Sequence, residues 1–316
     1  MSDVQNTSER DEIALPARRD RPITLMHRLE LALVIALTGF FKLVGVDAAS
    51  AIAGTTMRHI GPLLRPLSRR AEDNLARVFP DWPREKIRAV TKDAWENIAR
   101  TGAEFVHLET LADFETNGRI EMIDRERFDA LVARPEPVIL FSAHFANWEV
   151  GPSVLARAGY DLGIVYRAAN NPLTDEWIIK QRAKVMSRRL VPKGKRGGRM
   201  LVELLKQNCS LALLVDQKLN SGISVPFMGI PAMTAPAAAR LSLKYGAPLI
   251  HVSITRKKGA HFSFKVHDPI AFTPTGDDHH DVEALTMKMN EALEADIRAQ
   301  PGQWLWFHRR WPKDDA

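Results

Sequence analysis

The chain has one cysteine, Cys209, in 316 residues. An intrachain disulfide and a cysteine-built metal centre are therefore both excluded, which suits a reducing compartment. There is no Walker A or Rossmann glycine pattern, so no nucleotide cradle is encoded in sequence. There is no G-x-S-x-G elbow to present a hydrolase serine, and no H-E-x-x-H to present two histidines to zinc. Repeats, low-complexity tracts and long Gly/Ser linkers are missing as well. The apolar run LALVIALTGFF, Leu31 to Phe41, is too short to cross a bilayer core before Lys42 interrupts it.

What is present is the composition of an ordinary globular protein, 45% hydrophobic and 26% charged. The formal charge of +6 and pI near 9.5 favour polyanionic partners: acidic proteins, phosphorylated ligands or anionic membrane. Residues 1–25 are charged and read as a disordered tail. Residues 26–60 read as a hydrophobic, membrane-associating helical region, and 61–316 as a single α/β domain. Arg18, Arg19, Arg21 and Arg28 precede the apolar run, and Arg58, Arg65, Arg69 and Arg70 follow it. With no charge asymmetry to orient a span, a helix lying in the membrane surface or a plain core helix fits better. Ala49-Ser50-Ala51 resembles a signal cleavage site, but the long acidic leader before it argues for an uncleaved chain.

From about Glu72 to Phe105 apolar residues recur at three and four, with a turn at Pro80–Pro83. Beyond Pro135 short apolar runs take over: VILFSA (138–143), LGIVY (162–166), LALLV (211–215) and LIHVSI (249–254). Helical stretches near 172–188, 198–207 and 235–245 separate them. HFSFKVH (261–267) alternates in period two and reads as an edge or antiparallel strand, and a last helix spans about 280–299. The expected fold is α/β, a mainly parallel mixed sheet flanked by helices.

His144 directly follows the first of these strands, where ligands of open α/β sheets bind. Of the ten histidines it alone has a carboxylate five residues on, Glu149. About one such spacing is expected by chance, so it is position that argues for function. A histidine takes a proton from a hydroxyl best when a carboxylate holds its other ring nitrogen. Glu149 reaches back to His144 only if the histidine sits on the turn and the glutamate in the following helix; otherwise the two form a structural bond or none. Ser142 lacks an oxyanion-loop pattern, Cys209 reads as strand core, and Asp277-Asp278-His279-His280-Asp281 reads as a helix approach rather than a metal site.

AHFANWEVGP (143–152) resembles the H-x4-D/E motif of the lysophospholipid acyltransferase superfamily, specifically the late acyltransferases of lipid A biosynthesis. Asn147-Trp148-Glu149 sets that group apart from glycerolipid acyltransferases, where aspartate is usual. In order along the chain NLARVFPDWP, VYRAANNPL (165–173), GGRMLVELLKQNCSLALLVDQ (197–217), VPFMGIPAMTAPAAARLSLKYGAPLI (225–250) and QWLWFHRRW also match, from about residue 28 to 311. One departure is Phe145-Ala146, where Phe-Gly is more familiar.

The resemblance implies a glycerol-3-phosphate acyltransferase-like fold at the cytoplasmic face of a bacterial inner membrane. It implies direct transfer of an acyl chain from acyl carrier protein to a hydroxyl of a lipid A precursor of Kdo-lipid IVA type, without cofactor or metal. His144 would be the general base and Glu149 its orienting partner. Arg167 and Asn171 would hold the thioester oxygen or a lipid phosphate, and Asp216 and Gln217 would shape the site. The basic stretch RAKVMSRRLVPKGKRGGR offers Arg188, Arg189, Lys193, Lys195 and Arg196 for docking the acidic carrier, or anionic lipid. A glycerolipid acyltransferase using acyl-CoA is the nearest alternative. Nucleic-acid binding rests on charge alone, with no motif or aromatic platform, and is not expected. Trp304, Trp306, Phe307 and Trp311 belong either to the membrane interface or to the core.

Overall fold

The computed structural model describes residues 22–312, and of Lys195 the backbone alone. Most of the expected N-terminal tail, 1–21, thus lies outside the described residues. Thr24 starts α1 (Leu25–Val44): its hydroxyl accepts from His27 N while the His27 ring accepts from Thr24 N, a reciprocal cap. No residue of α1 is buried, and Gly45, at φ +80°, ends it. The second helix, α2 (Val46–Ile60), is different. It lays Ala49, Ser50 and Gly54 on α4, so the expected membrane-associating region divides at Gly45 and its second half belongs to the body.

Next come α3 (Arg65–Val78) and α4 (Arg84–Glu104), separated by the predicted Pro80–Pro83 turn. Then α5 (Leu108–Leu111), β1 (Ile120–Ile123) and α6 (Arg125–Val132) lead to β2 (Ile139–Ser142). The alternation continues with α7 (Val150–Arg157), β3 (Leu162–Tyr166), α8 (Pro172–Val185), β4 (Leu190–Pro192), α9 (Lys195–Lys206) and β5 (Ser210–Leu214). A hairpin, β6 (Ile223–Phe227) and β7 (Ile230–Thr234), turns on Met228 and Gly229, both at positive φ as a two-residue hairpin demands. The chain closes with α10 (Ala237–Tyr245), β8 (Leu249–Lys258), β9 (His261–Pro269) and α11 (Asp278–Ala299).

Seven strands form one sheet in the order β1-β9-β8-β2-β5-β3-β4. Neighbours run parallel except β8 and β9, which pair antiparallel, so the sheet is mixed as expected. HFSFKVH is antiparallel to β8 but interior, because β1 covers its outer side. The central strands are buried through both faces, as Ile139, Leu140, Phe141, Leu162 and Leu211 show. That explains their continuous apolar runs. All four C-terminal aromatics (Trp304, Trp306, Phe307, Trp311) are buried, which removes them from any membrane interface. Asn74 on α3 holds their backbone, donating to the carbonyls of Trp306 and His308.

Candidate active site

Strands β2 and β5 lie side by side in parallel, with Ser142 opposite Leu214. Two residues beyond that pair the chain places His144 against Asp216. The His144 backbone N–H donates to Asp216 Oδ2 at 3.0 Å, and its Nδ1 lies 2.8 Å from Asp216 Oδ1. Asp216 is buried and accepts a third bond, from the Trp304 indole, at 2.8 Å. Burial alone would raise this carboxyl. The adjacent imidazole and the bonds from His144, Trp304 and the His144 amide outweigh it and hold the group at about 2. Asp216 is therefore an ionised, acceptor-only carboxylate at neutral pH. It fixes the His144 proton on Nδ1, and a neutral ring keeps its lone pair on Nε2. Gln217 sits 3.3 Å from that nitrogen through its amide. The His144 side chain is the exposed member of the set, at 20% against 2% for Asp216.

Among the hydrogen bonds of the site none joins Glu149 to His144 directly. Glu149 lies at the start of α7 and faces α8, where Arg182 grips it with both Nε and Nη2. Burial would lower the Arg182 guanidinium, but Glu149 more than compensates and raises it. Trp148 stands between the two halves of the motif: its ring meets His144 edge-on at 5.2 Å, and its indole donates to Glu149 at 3.2 Å. The carboxylate that the sequence pattern assigned to His144 is thus an arginine partner. The carboxylate that does lie against His144 is Asp216, at the end of the neighbouring strand β5.

The turn after His144 is braced from behind. Ala146 adopts φ +48°, a left-handed conformation that glycine takes without steric cost, which accounts for the more familiar Phe-Gly at this place. Its carbonyl accepts from Asn97 and Thr101, and its amide donates to Gln303. Leu305 N donates to the His144 carbonyl. Asn147 donates to Glu104, a fully buried carboxylate that also receives Ser50 and a bidentate Arg256. Glu104, Arg182, Arg256 and Trp304 are site-building residues that sequence reasoning missed. None sits in a local pattern with His144, and only the QWLWFHRRW match hinted at Trp304.

The remaining candidates separate. Arg167 stands at the carboxyl end of β3 on the same sheet edge as His144. Asn171 is committed elsewhere: its oxygen caps α8 through Leu173 N and Thr174 N, and its amide donates to His27 O and Glu30 on α1. Those bonds tie α1 to α8. The basic stretch is split by β4. Arg188 and Arg189 precede that strand, with Arg189 paired to Asp161, while Lys193, Lys195 and Arg196 follow it at the His144 edge. A single docking patch of five is therefore not formed. The Lys195 side chain lies outside the described residues. Asp277 caps α11, and Asp281 binds Thr275 and Gly276. Among the described residues no three His, Cys, Asp or Glu side chains converge on a metal position, and no helix is long and apolar enough to cross a membrane.

A partly exposed histidine held by a buried carboxylate, with its second nitrogen beside the Gln217 amide at the carboxyl end of the strands, is equipped to deprotonate a hydroxyl. Residues 21–313 match the family described as bacterial lipid A biosynthesis acyltransferase. The chain is 25% identical over 248 residues to a lipid A biosynthesis acyltransferase of Haemophilus influenzae, covering 76% of each chain. It is 27% identical over 263 residues to a lipid A biosynthesis palmitoleoyltransferase of Escherichia coli, covering 79% of this chain and 82% of the other. To a lauroyltransferase of the same organism it is 26% identical over 264 residues, covering 78% and 80%.

Proposed function

Since this chain belongs to the bacterial lipid A biosynthesis acyltransferase family, we propose that it moves an acyl chain from acyl carrier protein directly to a hydroxyl of a Kdo-lipid IVA-type precursor, with His144 as general base. The observation that carries the mechanism is the 2.8 Å contact of His144 Nδ1 with the buried Asp216 carboxylate. The acceptor hydroxyl donates its proton to Nε2 as its oxygen attacks the thioester carbonyl carbon. Asp216 stabilises the imidazolium that forms. Collapse of the tetrahedral intermediate expels the carrier thiolate, which takes the proton back from Nε2. The products are an ester and a free thiol, and no acyl-enzyme is formed. Cys209, buried just before β5, takes no part. Glu149 serves the site through Arg182, holding that guanidinium in place at the edge of the motif.

The reading includes attachment to the cytoplasmic face of the inner membrane. Among the described residues, the exposed large apolar side chains all fall between Ile23 and Leu67, with Leu25, Leu43 and Leu63 more than 70% exposed. Burying one such side chain is worth about 1.5–3 kcal/mol. A handful seated in the headgroup region would hold the protein to a membrane without a span. Residues 23–67 would supply the lipid-facing side chains, α1 most of them and the exposed faces of α2, Leu63–Leu64 and the start of α3 the rest, while the chain from α2 onward forms a single α/β unit.

A crossed donor and acceptor assay tests the activity. Acyl carrier thioester with an acylated glucosamine disaccharide should turn over, and His144→Ala should lose about 10²–10⁴-fold in kcat while remaining folded. Preference for acyl-CoA and lysophosphatidate would reassign the chain's substrates. Near-normal turnover in His144→Ala would overturn the mechanism.

A further inference from the structure

The C-terminal segment 304–311 is tied down along its length beside the site. The Trp304 indole donates to Asp216 at 2.8 Å, and Leu305 N donates to the His144 carbonyl at 3.1 Å. Asn74 on α3 donates to the Trp306 and His308 carbonyls at 2.8 and 2.9 Å. Arg310, fully buried, donates to the Met233 carbonyl and the Thr234 hydroxyl, and the Trp311 indole donates to the Phe227 carbonyl. Between these anchors the segment presents one imidazole, the half-buried ring of His308.

That ring has a fixed tautomer. Lys218 N donates to His308 Nε2 at 3.1 Å, and a backbone amide can only donate, so Nε2 carries the lone pair and Nδ1 the proton. Burial lowers the imidazole to about 4; His144, Arg310 and Lys193 add to this, and Asp216 opposes it. His308 is thus uncharged at neutral pH, and its Nδ1–H meets no acceptor among the described residues. Lys218 follows Asp216 by two residues, at most about 7 Å of chain, which puts the ring beside the His144–Asp216 pair.

Attack on a thioester puts negative charge on the carbonyl oxygen, and a donor placed there beforehand lowers the barrier. The pair itself supplies none. His144 Nε2 receives the acceptor's proton, ionised Asp216 only accepts, and the Gln217 amide is turned to His144. We infer that His308 is a further catalytic residue, whose Nδ1–H donates a hydrogen bond to the carbonyl oxygen as the tetrahedral intermediate forms. The inference rests on the proposed acyl transfer. The His308 proton stays on Nδ1 throughout; the only proton that moves passes from the hydroxyl to His144 and on to the leaving thiolate. A neutral donor also suits this place, because a charged ring would repel the imidazolium that forms on His144.

Two near-isosteres separate donation from packing, both made in the full chain. In His308→Gln the side-chain oxygen reaches the place of Nε2 and still accepts from Lys218 N, but no N–H stands at Nδ1. In His308→Asn the amide nitrogen takes the place of Nδ1, and the Lys218 bond is lost. Steady-state acyl transfer and melting curves are measured for both. His308→Gln should lose about 10²–10³-fold in kcat with KM little changed, whereas His308→Asn should stay within about 10-fold of wild type. A ring that only ties Lys218 in place gives the reverse order, so a His308→Asn enzyme no faster than His308→Gln overturns the assignment. Nitrogen-15 NMR of the ring, without substrate, should show a neutral Nδ1–H tautomer at pH 6. An Nε2–H tautomer or a charged ring there defeats the donor whether or not the chain transfers acyl groups. Wild type that shows the expected tautomer yet transfers to no acceptor would instead remove the acyl-transfer reading on which the assignment rests.

Discussion

Asp216→Asn is the substitution that separates the tertiary arrangement from the linear motif. The change keeps the shape of the side chain but puts an NH₂ where an oxygen now accepts. Three donors converge on the two carboxylate oxygens: the His144 amide, His144 Nδ1 and the Trp304 indole. A carboxamide cannot accept all three without turning its own donor toward one of them. If that donor meets the ring, the His144 proton moves to Nε2 and the base is lost. Asp216 is held at about 2 against an ordinary 3.8, which at about 1.4 kcal/mol per pH unit is roughly 2–3 kcal/mol of preference for its charge. Part of that preference, the attraction between the carboxylate and the imidazolium that forms, is lost from the transition state when the charge is removed. Loss of the correct tautomer takes the expected drop in kcat into the range of about 10²–10⁴. Steady-state transfer from acyl carrier thioester at neutral pH, with KM for both substrates and a melting curve, measures it. KM should change little. The double variant with His144→Ala should be scarcely worse than His144→Ala alone, because the two residues act as one unit. Glu149→Gln combined with His144→Ala should instead multiply, since Glu149 acts through Arg182. A folded Asp216→Asn enzyme with near-normal kcat, or non-additivity for Glu149 rather than Asp216, would refute the assignment.

Trp304→Phe retains a buried ring but withdraws one donor from Asp216; kcat should fall about 10-fold with KM unchanged, and an unchanged kcat would show that the indole only packs. Stability should fall as pH drops below about 6.5. His251 is held at about 3 by burial and then by His267, so the unfolded chain takes up protons that the fold refuses. Urea unfolding at pH 7 and pH 4.5 should differ by about 2–3 kcal/mol from His251, with a smaller part from the more exposed His308, and His251→Phe should flatten the slope. The neighbouring Asp296 carboxyl, 3.3 Å from His251, is itself raised by burial. Ala146→Gly relieves a left-handed φ of +48° and should stabilise the fold by up to about 1 kcal/mol with activity intact; a lower melting temperature would contradict that account.

Local sequence determined what depends on neighbours along the chain. Buried central strands read as apolar runs because both faces of VILFSA, LGIVY and LALLV are covered, and the helices between them read by period. The position of His144, just past the carboxyl end of a strand where such sheets face ligands, was legible in the same way. Shorter elements escaped: the three-residue β4 carries too little pattern to see, yet it divides the basic stretch and turns one expected docking patch into two groups at opposite ends of the sheet. Which carboxylate meets His144 was beyond local reading altogether. Glu149 is five residues away and Asp216 seventy-two, but β2 and β5 are neighbours in register, so the distant pair meets at 2.8 Å. The near one is turned toward α8 and taken by Arg182. Spacing along a chain fixes which residues can touch within one element. The order of strands in the sheet fixes which residues face each other between elements, and it is set by the packing of the whole core.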